Sequence, residues 1–344
     1  MELSTRARPV VRRLLPLLVS ASAITVVVLL VGPPQLAGAI QRFRLAAVPA
    51  VVLLLLAAYA VQGWRWHYLL EDAGLRFSLR DSELLNMAGQ AVTALIPIGD
   101  LTRAAFASQA GRKDFGDAAA TVTVQELSYT LTMVVVATPG IVAVGAGITP
   151  ALVVLCGILA VVALLIVGPV FRAVDAVIGT IPLVNRLQHQ VEELQRSTVR
   201  LLRTPRTLFG VLVDLLRALV TVTAFWLIAD QLEPGRLSWT LAAFVLTFSY
   251  VGGALSMVPG GIGANEAGMV GLLVWSGMSP GAAGAVAILQ RAFVTGLAVL
   301  VGLLAYAAAR RRFGLSGLTG LVVGGERASA VHSEPCEDCL DAAA

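Results

Sequence analysis

Apolar residues run through this chain in blocks of about twenty, enough at ~1.5 Å per residue to cross a ~30 Å hydrocarbon core as helices. Blocks at residues 14–32, 45–64, 118–138, 150–171, 207–229, 238–258 and 282–308 qualify, and together they cover the chain almost end to end. Two stretches interrupt the pattern. One contains "LIPIGDLTRAAF" within residues 82–110; the other, residues 256–268, reads "SMVPGGIGANEAG", with one proline, four glycines and a carboxylate inside an oily third of the chain. The pattern predicts an all-α polytopic membrane protein with roughly seven to nine hydrophobic segments. A single transmembrane domain is expected over residues 1–312, with a flexible tail over residues 313–344.

Composition agrees with this reading. The 344 residues are 57% hydrophobic and 13% charged, with mean hydropathy +0.83, against about a quarter charged in soluble domains. The net charge of +4 is no nucleic-acid footprint, because the cations cluster beside the apolar blocks and set topology there. Arg6, Arg8, Arg12 and Arg13 precede the first block and place the N-terminus in the cytoplasm of a cell-membrane protein. Ala37-Gly38-Ala39 resembles a cleavage site, yet the preceding apolar run exceeds the roughly 7–15 residues of a signal core, so an uncleaved first helix is expected.

Two spans return the chain inside at residues 64–81, where Trp64 and Trp66 flank Arg65 as an interfacial belt. A full crossing by residues 82–98 would strand residues 172–206, six arginines against three acids, outside. A re-entrant hairpin over residues 82–110, turning at Pro97-Ile98-Gly99, avoids this. In the basic segment Val184, Leu187, Val191, Leu194, Thr198 and Leu201 recur at spacings of three and four, between Arg186, Arg196, Arg200 and Arg203. That predicts a cytoplasmic amphipathic helix on the anionic inner leaflet. Arg310, Arg311 and Arg312 put the C-terminus inside as well. Parity then requires an even number of crossings between residues 230 and 281: either 238–258 and 262–279 both cross, or together they form a second re-entrant hairpin.

The two interrupted stretches share a form: apolar run, proline, glycine, polar groups, new helix. Such breaks in two halves of a membrane carrier point to a substrate site, since broken helices expose backbone only where it lines a cavity. A weak inverted repeat follows, with Pro97, Gly99, Pro259, Gly260, Gly261 and Gly263 as its structural breaks. Asn265 is a plausible N-cap, and Glu266 suits the positive helix end. A carboxylate at membrane depth costs about 2.5–3.5 kcal/mol unless it meets water or a partner. Arg291, beside Gln290, is the candidate partner of Glu266 or of a phosphate. Asp100 and Arg103 are spaced to pair with each other, as are Asp214 and Arg217, the latter pair expected to neutralise itself. Glu126 is flanked by Gln125 and Ser128. The candidate substrate-binding set is therefore Asp100, Arg103, Glu126, Asn265, Glu266, Gln290 and Arg291.

No catalytic set is evident: His67, His189 and His332 lie outside the spans, and no hydrolase, metalloprotease or nucleotide-binding pattern occurs. No cofactor or nucleic acid is expected. His332, Cys336 and Cys339 lack a fourth metal ligand, so no metal is expected, and Cys156 reads as a small buried hydrophobe.

The motifs resemble the transmembrane region of lysylphosphatidylglycerol synthases and the related stand-alone flippase-like membrane proteins, over roughly residues 15–310. "WRWHYLL" follows the second span; in "IPIGDLTRAAF" the family's Pro, Gly, acid and Arg fall on Pro97, Gly99, Asp100 and Arg103. In "VPGGIGANEAGMVGLL" its P-G-G-x-G and acid fall on Pro259, Gly260, Gly261, Gly263 and Glu266. The last-span arginine falls on Arg291, followed by Gly302. Where the family usually has an adjacent Glu-Arg pair with an Asp one turn on, this chain has Gln125, Glu126 and Tyr129. After residue 312 comes a Gly-rich tail rather than an acyltransferase-like domain, so aminoacylation of lipid by this chain alone is not expected.

The resemblance implies movement of an anionic phospholipid or lipid-linked headgroup between leaflets, with membrane lipids as partners. Its alternative is a non-transporting partner of a glycosyltransferase or lipid-synthesis enzyme. An enzyme acting on polyprenyl phosphate is disfavoured by the missing acid/base set. In the transport reading Arg103 and Arg291 hold phosphate, Asp100 and Glu266 shape or release the headgroup, and movement is facilitated or gradient-driven.

Overall fold

A computed structural model describes residues 33–93, 99–143, 149–166, 196, 198–201, 206–256, 261 and 263–315. The expected first span, Pro97, Pro259, Gly260, most of the amphipathic segment, His189, and His332, Cys336 and Cys339 in the tail lie outside the described residues.

Every described element is helical: α1 (Pro33–Arg42), a 3-10 turn (Leu45–Ala47), α2 (Val48–Asp72), α3 (Leu79–Thr93), α4 (Gly99–Gly111), α5 (Phe115–Ala143), α6 (Thr149–Ile166), α7 (Arg206–Leu232), α8 (Trp239–Leu255), α9 (Ala264–Trp275) and α10 (Pro280–Phe313). Among the described residues four helices are long and apolar enough to cross a membrane: Leu45–Asp72, Phe115–Ala143, Phe209–Leu232 and Pro280–Phe313. Local chemistry sets their ends. Ser238 and Ser279 accept from the Leu241 and Ala282 amides, Pro280 opens α10, and Gly314 closes it at φ 63° behind Arg310, Arg311 and Arg312.

The interrupted stretches fold as two hairpins of short helices. The 15 residues of α3 and 13 of α4 are about 22 and 20 Å long, and the 12 residues of α9 about 18 Å, all below ~30 Å. α3 starts at the end of the bundle where Arg312 meets Asp81 at 2.6 Å. α8 starts at the opposite end, where Glu233 accepts from Ser279 and Arg236 donates to the Gly277 carbonyl. The hairpins therefore enter from opposite ends, as an inverted repeat requires. Of the two topologies open for residues 230–281, the short α9 favours the hairpin.

The charge argument put the ends of the second span, the basic segment and the last span on one side. Arg206 with Glu71 and Asp72, Arg200 with Asp117, and Arg312 with Asp81 do converge at one end.

Close packing makes two apolar cores. One joins Val51, Leu55, Met133, Phe225, Phe244, Met269 and Ala287; the other joins Trp66, Leu70, Leu85, Phe106, Val124 and Ala305. α2, α5 and α10 pass through both, so the segments around residues 58–62, 126–129 and 291–298 form a layer between them. Helix α1 lays Leu36 and Ala39 inward, and Phe43 just after it meets the Phe293 ring at 5.8 Å, tilted by 48°.

Two expectations are corrected. Trp66 and Arg65 do not form an interfacial belt: α2 continues to Asp72, and both are buried. Trp66 donates to Thr121 at 2.8 Å, and Arg65 pairs with Asp214 at 3.7 Å, because those partners wait on neighbouring helices. Cys156 is exposed on α6 rather than buried.

Candidate functional site

The layer between the cores holds a half-open cavity of about 370 Å³, within the size range of small-molecule sites. Its polar wall is Tyr59 and Gln62 from α2, Gln90 from α3, Asp100 from α4, Glu126 and Tyr129 from α5, Arg217 and Thr221 from α7, Tyr250 from α8, and Arg291 and Thr295 from α10. Leu55, Ala58, Val294 and Ala298 supply an apolar side. Arg291 lies 11 residues, about 16 Å, past Pro280. The polar wall therefore meets α10 well inside the helix rather than at its end.

The arrangement follows from helical spacing. On α3, Asn86 and Gln90 stand one turn apart, while Gly89 beside them leaves room for the backbone of Arg103, whose Cα a methyl at Gly89 would approach to 3.1 Å. Arg103 thereby runs through the α3–α4 contact with no exposure. Its Nη1 donates to Asn86 at 3.2 Å and Gln125 at 3.0 Å, and its Nη2 to Glu126 at 2.6 Å, with Trp66 5.6 Å away beneath the guanidinium. The Gln62 amide completes this group: with its oxygen turned to the two guanidinium groups it lies 3.0 Å from Arg103 and 3.3 Å from Arg217.

Arg217 is the cavity's central cation. Its guanidinium lies 3.7 Å over the Tyr129 ring and 3.6 Å from Glu126, a cation–π and ionic cradle that fixes its plane. Asp214 does not neutralise it. One turn earlier on α7, Asp214 turns instead to Arg65 and accepts from Ser128 at 2.6 Å; Gly210 lets the Arg65 side chain lie flat there, since any Cβ would overlap it. The expected self-neutralising pair is thus replaced by two cross-helix pairs.

At the second break, Gly263 adopts φ 88° and is the N-cap of α9, a conformation that suits glycine. The expected cap, Asn265, lies inside the helix and packs on Gly253 of α8. Glu266 takes the third helical position, where one oxygen accepts from the Gly263 amide and the other pairs with Arg291, both at 2.5 Å. Gln290 is buried beside Tyr250, 3.4 Å from its hydroxyl.

Asp100, Glu126 and Arg291, of the sequence-derived set, therefore reach the cavity. Arg103, Glu266, Asn265 and Gln290 stand behind the wall and position it. Of the break residues, Gly99 opens α4, and Gly261 approaches Gly253. Sequence reasoning missed Tyr59, Gln62, Gln90, Tyr129, Thr221, Tyr250 and Thr295 as lining residues, and it set Arg217 aside as self-neutralised. Three of the chain's five tyrosines meet here, and polar aromatic residues deep in apolar blocks were the available signal. No group of three or more His, Cys, Asp or Glu suited to a metal occurs among the described residues.

No curated protein matches the chain at a significant level. The family model "Lysylphosphatidylglycerol synthase TM region" matches residues 13–302, which takes in every cavity-lining residue. The chain belongs to the lysylphosphatidylglycerol synthase transmembrane-region family, as an integral membrane protein of lipid-related function.

Proposed function

We propose that this protein translocates an anionic phospholipid or lipid-linked headgroup across the cell membrane, with both termini cytoplasmic. The observation that carries the reading is a polar cavity, with Arg217 and Arg291 in its wall, held at mid-height between two apolar cores. An arginine at that depth is costly unless it serves a partner or a ligand. A guanidinium fork matches phosphate geometry. The volume equals roughly twelve waters at ~30 Å³ each, enough for a headgroup while acyl chains stay in lipid.

Reconstitution tests this. Purified protein in liposomes carrying acyl-labelled phosphatidylglycerol is expected to move label between leaflets, read by a membrane-impermeant quencher. Arg217→Gln and Arg291→Gln each slow the movement roughly tenfold or more, the loss of one charge-assisted contact. If wild-type vesicles match protein-free vesicles, transport is wrong, and the protein is instead a non-transporting partner of a lipid-synthesis enzyme or glycosyltransferase.

A further inference from the structure

We propose that the cavity selects headgroups joining a phosphodiester to a hydrogen-bond-donating end, hydroxyl or ammonium, and that Asp100 reads that end. This rests on the reading of the cavity as a headgroup site.

The wall has two kinds of unfilled valence. On the cationic side, Nη1 of Arg217 and Nη2 of Arg291 are buried without an aligned hydrogen bond, although each is in an ion pair, with Glu126 and Glu266 respectively. Both residues line the cavity, and guanidinium groups suit phosphate oxygens. On the anionic side, Asp100 stands in the first turn of α4 and lines the cavity, with no side-chain hydrogen bond or ion pair to any described residue. Its obvious partner is committed elsewhere, because Arg103 gives its donors to Asn86, Gln125 and Glu126. Glu126, itself paired with Arg103 and Arg217, adds a second negative charge within interaction range, and the same two arginines act on Asp100 at longer range without donating to it.

A carboxylate removed from bulk water needs donors. A phosphate monoester offers more anionic oxygens, so phosphatidic acid would set charge against Asp100 and Glu126. A choline end is methyl-capped and has no N–H to give. Of the lining tyrosines, Tyr129 already has its face covered by Arg217. Glycerol or sugar hydroxyls and a primary ammonium do supply donors. One ligand of that kind satisfies both sides of the cavity.

Acyl-labelled phosphatidylglycerol, phosphatidylethanolamine, phosphatidylcholine and phosphatidic acid are compared in vesicles of otherwise identical composition. Phosphatidylglycerol and phosphatidylethanolamine are expected to move roughly tenfold faster than the other two, the worth of a hydrogen bond to a charged group. Asp100→Ala levels the four rates. Asp100→Asn keeps an acceptor but no charge, so it slows phosphatidylethanolamine more than phosphatidylglycerol where the ammonium is read, and both alike where the hydroxyl is read. Phosphatidylcholine moving as fast as phosphatidylglycerol, or a preference that survives Asp100→Ala, overturns the proposal.

The same four headgroups on dihexanoyl chains, added to the detergent-solubilised protein, give a readout independent of transport. Larger thermal stabilisation by the glycerol and ethanolamine forms, lost in Asp100→Ala, supports the selectivity even if no lipid crosses; equal stabilisation by all four refutes it. If Asp100→Ala elutes as aggregate, Asp100→Asn decides: both donor-bearing lipids must lose ground to phosphatidylcholine, and an unchanged order refutes the role.

Discussion

Replacing Arg103 by alanine separates a positioning role from a ligand role. Arg103 has no exposure, and its three hydrogen bonds end on Asn86, Gln125 and Glu126. Truncation leaves Glu126 with Arg217 at 3.6 Å as its remaining ionic partner, and strips the Asn86 and Gln125 oxygens of a donor. Summing three hydrogen bonds to a charged group at ~1.5–3 kcal/mol gives an upper bound of about 4.5–9 kcal/mol. The burial cost of the guanidinium disappears with it, and removal of one member of a buried pair measures about 3–5 kcal/mol. For a chain of 344 residues that is a fall of about 4–7 °C in melting temperature. The assay is the fraction of monodisperse protein left after heating in detergent for a fixed time, since unfolding of such proteins is commonly irreversible. Glu126→Gln and the double variant complete a cycle, and the double loss should fall short of the sum by at least ~1 kcal/mol. If Arg103→Ala melts within about 1 °C of wild type yet abolishes lipid movement, the buried network is not what Arg103 serves, and a phosphate-holding role returns.

Two further outcomes follow from the packing. A methyl at Gly140 of α5 would overlap the Thr240 carbonyl and come within 2.9 Å of Phe244 Cβ; neither can swing aside, so Gly140→Ala should cost about 1–3 kcal/mol, while Gly157→Ala, which meets nothing within 4 Å, serves as the neutral control in the same melting assay. The Arg312–Asp81 pair is partly exposed, so Arg312→Ala should cost at most ~1 kcal/mol, and the difference from wild type should vanish in ~1 M salt.

Much of the fold was legible in hydrophobic run length, because a span must be apolar for about twenty residues whatever surrounds it. α5, α7 and α10 fall within a few residues of the blocks at 118–138, 207–229 and 282–308. The breaks were legible too, since proline and glycine act locally: Gly99 and Gly263 stand where new helices begin. The pairing of Glu266 with Arg291 was open to inference, as two opposite charges in oil have few other destinations. What sequence could not supply was the choice among partners. Spacing alone pairs Asp214 with Arg217, yet Arg65 and Ser128 lie across the helix interface and take Asp214 away. Trp66 and Arg65 look like an interfacial belt until the Thr121 and Asp214 positions are known. Arg103 offered the same chemistry as Arg217, and only three-dimensional packing places one behind the wall and the other in it.

The ion pair at the second break also constrains how the chain is made. Glu266 and Arg291 are 25 residues apart, so the carboxylate leaves the ribosome roughly one to five seconds before its arginine. During that interval α9, twelve residues long, is too short to span and bears a charge costing about 2.5–3.5 kcal/mol in lipid. It has no stable place in the bilayer on its own. Arg291 removes that penalty only when α10 is inserted, so α9 and α10 must settle as one unit. A nascent chain from which α9 has emerged while Arg291 is still within the ribosome would hold α9 at the membrane surface or inside the insertion machinery, which makes the order of membrane insertion a property written into the position of a single arginine.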